Sequence, residues 1–207
     1  NEKVKQTDFI SVFSMLKLPY SVSDSNFQKT ADTTLISYDV MHQFIPDSIL
    51  SSKNKNVKFY PVGKIEKEGD TYLIILEKIS KTKATLYTFL FDKDFHYITH
   101  LNLLESNYDD DYRHSVYINA EPTFTLSREK NIKGNELLYT RKGYAYSKES
   151  KQFIVVINET NEDKKKTDSI INPIDTLPAL NRFSGDYYKN KKNFISLRDE
   201  NNANKYR

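Results

Sequence analysis

The stretch "SNYDDDYRHS", residues 106–115, places three consecutive aspartates between two tyrosines, with an arginine and a histidine directly behind them. Clustered carboxylates can bind a cation, and carboxylates beside a histidine can carry out acid and base steps of a hydrolysis. The first candidates for a metal or catalytic site are therefore Glu105, Asp109, Asp110, Asp111 and His114.

The spacing of the acids fits only part of a calcium loop. With Asn107 as position 1, Asn107, Asp109 and Asp111 occupy positions 1, 3 and 5. Tyr112 stands where the sharp turn needs Gly, and Ile118 stands where a bidentate Glu should close the coordination sphere. We therefore interpret the stretch as a solvated connection between two hairpins, and cation binding by the three aspartates stays open.

Two histidines, His96 and His100, have the spacing of a helical zinc-ligand pair, but they fall in a predicted strand. Four residues of a strand advance about 13 Å, whereas each ligand of one zinc lies about 2 Å from the ion. We interpret both as strand histidines, and His42 and His114 have no visible partners.

Short catalytic motifs are absent from the sequence. No two glycines flank a serine as in a nucleophile elbow, and none forms a phosphate-binding loop. The chain has 28 acidic residues, so a hydrolase that uses paired carboxylates stays open as the alternative function. We predict no catalytic, cofactor-binding or metal-ligating residues.

Tyrosines are the side chains best suited to binding, since the chain has 15 of them and no Trp. Tyr139, Tyr144 and Tyr146 on one predicted hairpin, and the pair Tyr187 and Tyr188, could stack on a sugar, peptide or aryl ligand. We favour the other explanation, that these rings pair across strands on a sheet face.

Composition bounds the class of protein. The net charge of +3 over 207 residues is too small to indicate a nucleic-acid groove. Zero cysteines exclude disulfides and thiolate sites within this chain. The longest apolar runs, "LIIL" at 73–76 and "FIVVI" at 153–157, fall far short of the roughly 20 residues that a membrane-spanning helix needs.

The elements that must position any site are short strands rich in Val, Ile, Tyr, Phe and Thr between residues 57 and 159. They pair as four hairpins, with turns at 67–70, 92–94, 120–122 and 148–150. The spacing predicts an all-β fold, an antiparallel meander of about eight strands that forms a barrel or a sandwich. Two propeller-like four-stranded blades are the alternative.

A short helix precedes the strands. Apolar residues recur at helical spacing, with Asp32 or Thr33 as N-cap and Pro46 as the stop; they are Ile36, Val40, Met41 and Phe44.

Changes in composition divide the chain into four parts. We predict an extended N-terminal arm without regular structure over 1–30, the main β domain over 31–160, a charged and Pro-punctuated linker or strap over 161–182, and a partial second β unit over 183–207.

Several phrases, among them "KFYPVGKIEKEGDTYLIIL", "TFLFDKDFHYITHLNL" and "YTRKGYAYSKESKQFIVVINETNE", resemble uncharacterised exported β-rich proteins of Gram-negative gut-type bacteria. Such proteins usually carry a lipoprotein signal, and this chain starts at Asn1 without Met. The resemblance implies an exported protein of the periplasm or outer membrane, with a lipid anchor just upstream as its membrane contact.

The same resemblance draws attention to three Asp-Ser/Thr-apolar tripeptides that look like O-glycosylation acceptors, at 47–49, 168–170 and 175–177. At Asp47 we favour the capping of a turn. The linker pair, with Ser169 and Thr176 as acceptors, is the stronger candidate for glycans.

Taken together, the missing catalytic motifs and the surplus of tyrosines favour a non-enzymatic binding or interaction module of the cell envelope. Its expected ligand is a peptide or a glycan, and nucleic acid is not expected.

Overall fold

The computed structural model describes residues 3–50, 57–80, 82–132 and 136–162. The N-terminal segment contains helix α1 (Gln6–Ser11), strand β1 (Tyr20–Ser23), a 3-10 helix (Phe27–Lys29) and helix α2 (Tyr38–Met41). Eight further strands follow: β2 (Lys58–Lys67), β3 (Asp70–Lys78), β4 (Ala84–Phe91), β5 (Tyr97–Glu105), β6 (Arg113–Ile118), β7 (Phe124–Asn131), β8 (Leu137–Ser147) and β9 (Gln152–Thr160).

The strands form two antiparallel sheets in an open, sandwich-like arrangement. One has four strands in the order β2-β3-β4-β5, and the other has five in the order β1-β6-β7-β8-β9. Each predicted hairpin is present as an adjacent antiparallel pair. The all-β prediction is therefore confirmed, and of its alternatives the sandwich describes the observed architecture.

The first core lies between the two sheets. From the four-stranded sheet, Ile74 and Leu86 point into it, and Val116, Ile118 and Phe124 meet them from the five-stranded sheet. All five side chains are fully buried. This contact explains one apolar face of β3 and β4.

A second core covers the other face of the four-stranded sheet. Leu73, Phe89 and Phe91 pack there against Phe9 of α1 and Met41 of α2. Since both faces of the sheet are covered, every residue of β4 is buried. The two cores account for the strands that are apolar at successive positions.

The N-terminal thirty residues differ from the expected arm, which is wrong over residues 3–30. Phe9 of α1 and Phe13, just beyond the C-terminal end of that helix, enter the second core. Val22 of β1 pairs with Val116, a partner so distant in sequence that no local pattern indicates it.

The predicted helix exists but begins later than expected. Its N-cap is Ser37, and Asp32 instead accepts a hydrogen bond from the Thr34 backbone N–H at 3.1 Å, which closes a turn. Ile36 forms a bridge to Phe59 of β2. The N-cap prediction at Asp32 or Thr33 is therefore wrong, because bridging to β2 holds this stretch in an extended conformation.

The Asp47 tripeptide lies in a turn, as predicted, where Ile49 N–H donates to the Pro46 carbonyl at 3.0 Å. The linker from residue 163 onward, the partial second β unit, the pair Tyr187 and Tyr188 and both linker tripeptides lie outside the described residues. Within the described ranges, the helices fall short of the length and apolar character needed to cross a bilayer.

Thr88, on the face of β4 that points toward the first core, is fully buried, and its hydroxyl has no hydrogen-bond partner in the described part of the chain. A buried hydroxyl without a partner carries an uncompensated desolvation cost. We expect Thr88→Val to raise the free energy of unfolding by about 1 kcal/mol in urea titrations.

Thr30→Val is the matched control, because the Thr30 hydroxyl donates to the Phe27 carbonyl at 2.7 Å. That variant should lose stability. A Thr88→Val protein less stable than wild type would contradict the prediction.

Candidate ligand-binding groove

An open groove of about 420 Å³ lies between β5 and the inner face of the five-stranded sheet. Leu103 and Leu104 of β5 form one wall, and side chains of β6, β7 and β8 form the other. Tyr108, from the connection between β5 and β6, also lines it. We call this site the groove.

Strand register assembles the second wall. Alternate side chains of a strand point to the same face. On the inner face, each such side chain of β7 therefore lies between its partners on β6 and β8, and the three residues form a row across the sheet. The rows, from the sheet interior to the open end, are Ile118–Phe124–Tyr144, Val116–Leu126–Lys142 and His114–Arg128–Thr140. The wall thus changes from apolar to polar along the groove.

His114 is held on several sides. Its Nε2 lies 2.9 Å from Oδ1 of Asp110, an acceptor, so Nε2 carries the hydrogen. Its ring stacks on Tyr108 with centroids 3.5 Å apart and planes 5° from parallel, and its backbone N–H donates to Asp24 at 2.8 Å. These contacts fix the position of the imidazole at the polar end of the groove.

The Asp110 carboxyl is held in its ionised form. Partial burial works against ionisation, but hydrogen bonds from His114 and from the Tyr112 backbone N–H outweigh it, and the pKa of Asp110 lies below its usual 3.8. Electrostatic interactions of the carboxyl with His114 and Arg128 act in the same direction.

We expect Asp110→Asn to be less stable than wild type at neutral pH, by less than about 1 kcal/mol because the pair is partly exposed. A carboxyl whose pKa is lower in the folded state than in the unfolded state stabilises the fold at pH values above its unfolded-state pKa. This stabilisation is lost as the pH falls through the folded-state pKa. The gap between the two proteins should therefore close below about pH 4. Urea titrations across pH 3 to 8 measure it; a gap that widens toward acid would contradict this account.

The groove presents positive charge. Arg128 and Lys142 line it together with His114, and no carboxylate is among the described residues that line it. Nη2 of Arg128 contacts Glu162 at 2.6 Å. Lys142 forms no ion pair with a described residue.

The aspartate triplet does not converge on one point. Asp110 faces His114, Asp111 pairs with Lys130, and Asp109 is exposed. Glu105 is exposed as well, and its backbone N–H donates to the Tyr108 hydroxyl at 3.0 Å. Of the five sequence candidates, the structure brings Asp110 and His114 together, so the expectation that His114 has no partner is wrong. Asp109 and Asp111 lie exposed in the connection between β5 and β6, as predicted, whereas Glu105 is the last residue of β5.

A second cavity, of about 580 Å³, lies among three hairpin turns. Lys148 of the β8–β9 turn pairs with Glu68 of the β2–β3 turn at 2.8 Å. Asp70 and Asp92 line the cavity, and burial raises the pKa of Asp70. We call it the hairpin-end cavity.

The two zinc-spaced histidines lie apart. His96 is exposed in the β4–β5 turn beside Asp92, so its assignment to a strand is wrong, because the turn is longer than the sequence suggested. Ligand atoms of Asp92, Asp94 and His96 lie within 4.8 Å of one another. His100 is a strand residue, as predicted, and its Nδ1 lies 2.9 Å from the Tyr97 hydroxyl.

The three tyrosines of β8 have different roles. Tyr146 stands opposite Phe153 on β9 with ring centroids 6.3 Å apart, which confirms cross-strand pairing there. Tyr139 lies under the Arg141 guanidinium at 4.6 Å. Tyr144 lines the groove.

The sequence analysis did not find Arg128 and Lys142. Each stands beside other charged residues in a strand of mixed polarity, Arg128 before Glu129 and Lys142 after Arg141, and only the strand register brings the two together. A comparison of the chain with protein-family models, with curated proteins and with solved structures finds no match.

Proposed function

We propose that the chain is a non-enzymatic binding module that holds a peptide or glycan ligand in the groove. The observation that carries this proposal is the joining of a leucine wall, a tyrosine ring and cationic side chains in one concave site of about 420 Å³. Ligand sites typically combine a mostly apolar lining with a few convergent polar groups at this scale. The strands of both sheets make the site rigid, which reduces the entropy cost of binding.

His114 forms part of the polar end of the groove wall. Its Nε2 hydrogen is engaged by Asp110, and its ring face is covered by Tyr108. These two contacts hold the imidazole in place as a fixed part of the wall.

The setting proposed for this module is the cell envelope, in the periplasm or at the outer membrane, on the strength of the resemblance given above. Its membrane contact would be a lipid attached upstream, and stable anchoring by lipid needs more than one chain. Fractionation of the native host with an antibody against this chain tests the setting. Recovery in the cytosol would refute it.

A groove-filling variant tests the binding proposal. Leu126→Trp places a large ring in the groove, whereas Leu137→Trp adds the same ring at an exposed position of β8. Peptide and glycan arrays should give a ligand that wild type and Leu137→Trp bind and that Leu126→Trp does not. Circular dichroism checks that both variants fold. A ligand bound equally by all three proteins would place binding elsewhere.

A hydrolase with paired carboxylates is the second candidate, favoured by the hairpin-end cavity. Asp70 and Asp92 share it, and the raised pKa of Asp70 suits a general acid. A panel of nitrophenyl glycosides tests the candidate: turnover that Asp70→Asn abolishes would support it. Wild-type protein that releases no nitrophenol would remove glycoside hydrolysis from consideration.

A further inference from the structure

We propose that the ligand of the groove is a carboxylic acid with a flat or apolar body, its carboxylate bound between Lys142 and Arg128 and its body against Tyr144 and Leu126. This inference rests on the proposed function and names the chemical class of the ligand.

The placement of charge is the first support. Two acids near the groove, Asp110 and Glu162, pair with His114 and Arg128, and the Asp24 carboxylate accepts the His114 backbone N–H. These three acids are not among the described residues that line the groove. Lys142 lines the groove without an ion pair to any described residue. The groove itself therefore offers cations to a ligand, and an anion is the group that such a surface binds most strongly.

Strand geometry lets two cations share one carboxylate. Arg128 stands opposite Thr140, so Lys142, two residues further along β8, is its diagonal neighbour on the same face. Diagonal neighbours have Cβ atoms about 7–8 Å apart, within reach of long side chains. The guanidinium of Arg128 has five N–H donors, and its described ion pair to Glu162 is through Nη2.

The remainder of the ligand is defined by the apolar part of the wall. Tyr144 and Leu126 belong to the two inner rows, and Leu103 faces them from β5. A tyrosine face and leucine side chains suit an aromatic or aliphatic side chain and also the apolar face of a sugar ring. The acid can therefore be the C-terminus of a peptide or a uronic acid, which share the carboxylate.

Two matched pairs of probes separate these sources. The first is N-acetyl-Leu-Phe against its C-terminal amide, and the second is digalacturonic acid against its dimethyl ester. Calorimetric titration of the full chain should show that at least one acid binds about tenfold or more tightly than its neutral partner, because hydrogen bonds to a charged group contribute that much. Higher salt should lower the affinity of the protein for the acid and have little effect on its affinity for the neutral partner.

Variants assign the effect to the groove. Lys142→Gln should lower the affinity for the bound acid about tenfold and leave the affinity for its neutral partner unchanged. Lys142→Arg should still bind the acid more tightly than the neutral partner. Lys58→Gln removes the same charge from β2, at the edge of the four-stranded sheet opposite β5, and should bind as wild type does. Unchanged circular dichroism and Tm confirm that the variants are folded.

Equal affinity for an acid and its neutral partner would overturn the inference; if Leu126→Trp then abolished that binding, the binding module itself would stand. Equal losses of affinity for the acid in Lys142→Gln and Lys58→Gln would show that only the net charge of the protein matters, which would also overturn the inference. Failure of all four probes to bind at millimolar concentration would also overturn it, and the array experiment would decide the proposed function separately.

Discussion

Phe9→Ala is expected to lower the free energy of unfolding by about 3–4 kcal/mol, the cost typical of a large buried ring replaced by a methyl group. Phe9 is 2% exposed. Its ring stacks on Phe44 at 4.3 Å and meets Phe13 and Phe95 edge to face. Removing it leaves a cavity where α1 packs on the four-stranded sheet, so urea titration should show a large shift of the midpoint.

Leu35→Ala is the control, since Leu35 is 54% exposed and comes from the same N-terminal segment. It should change stability by less than about 0.5 kcal/mol. A loss in Phe9→Ala as small as that of Leu35→Ala would show that the segment lies loosely on the sheet and is not part of its core.

Gly143→Ala is expected to cost about 2 kcal/mol through overpacking. The register of β8 against β9 shifts between Gly143 and Tyr144, and Ile157 lies directly over the glycine. A methyl group at Gly143 would sit 2.9 Å from the Ile157 Cβ and 3.0 Å from its Cδ1. Since a Cβ cannot swing away, the backbone of β8 or β9 must move.

A double-mutant cycle isolates this contact. In an Ile157→Ala background most of the side chain is gone, so Gly143→Ala should cost about 1 kcal/mol less than in wild type. Equal costs in both backgrounds would mean that the Ile157 atoms beyond Cβ do not set the cost, and that it comes from the Cβ that alanine retains or from the conformation of the bulge.

Much of the fold follows from local sequence. Each predicted hairpin joins two strands that follow one another along the chain. In the β2–β3 hairpin, the turn is at Glu68 and Gly69, and both residues adopt the positive φ that such turns need. The parts of the fold that the sequence did not predict depend on contacts between distant residues. Strand β1 is four residues long and pairs with β6, and α1 shows its single apolar face only when the surface that it covers is known.

Only part of the candidate site could be predicted from the sequence. Asp110 and His114 stand four residues apart in one polar stretch, so their proximity was within reach of the sequence, although their selection from five candidates was not. The groove was hidden because His114, Arg128 and Lys142 belong to three different strands. Their common face depends on the register of β6, β7 and β8, which a one-residue slip would reverse.

The pairing of β1 with β6 also constrains the order of assembly. During synthesis the N-terminus leaves the ribosome first, and Asp24 must wait for His114, 90 residues later, before their hydrogen bond can form. The partners of α1 in β3 and β4 are made earlier. We therefore expect nascent chains to bury Phe9 before β1 is docked, and a chain stopped at residue 112 to fold its four-stranded sheet while Val22 still lacks its strand partner.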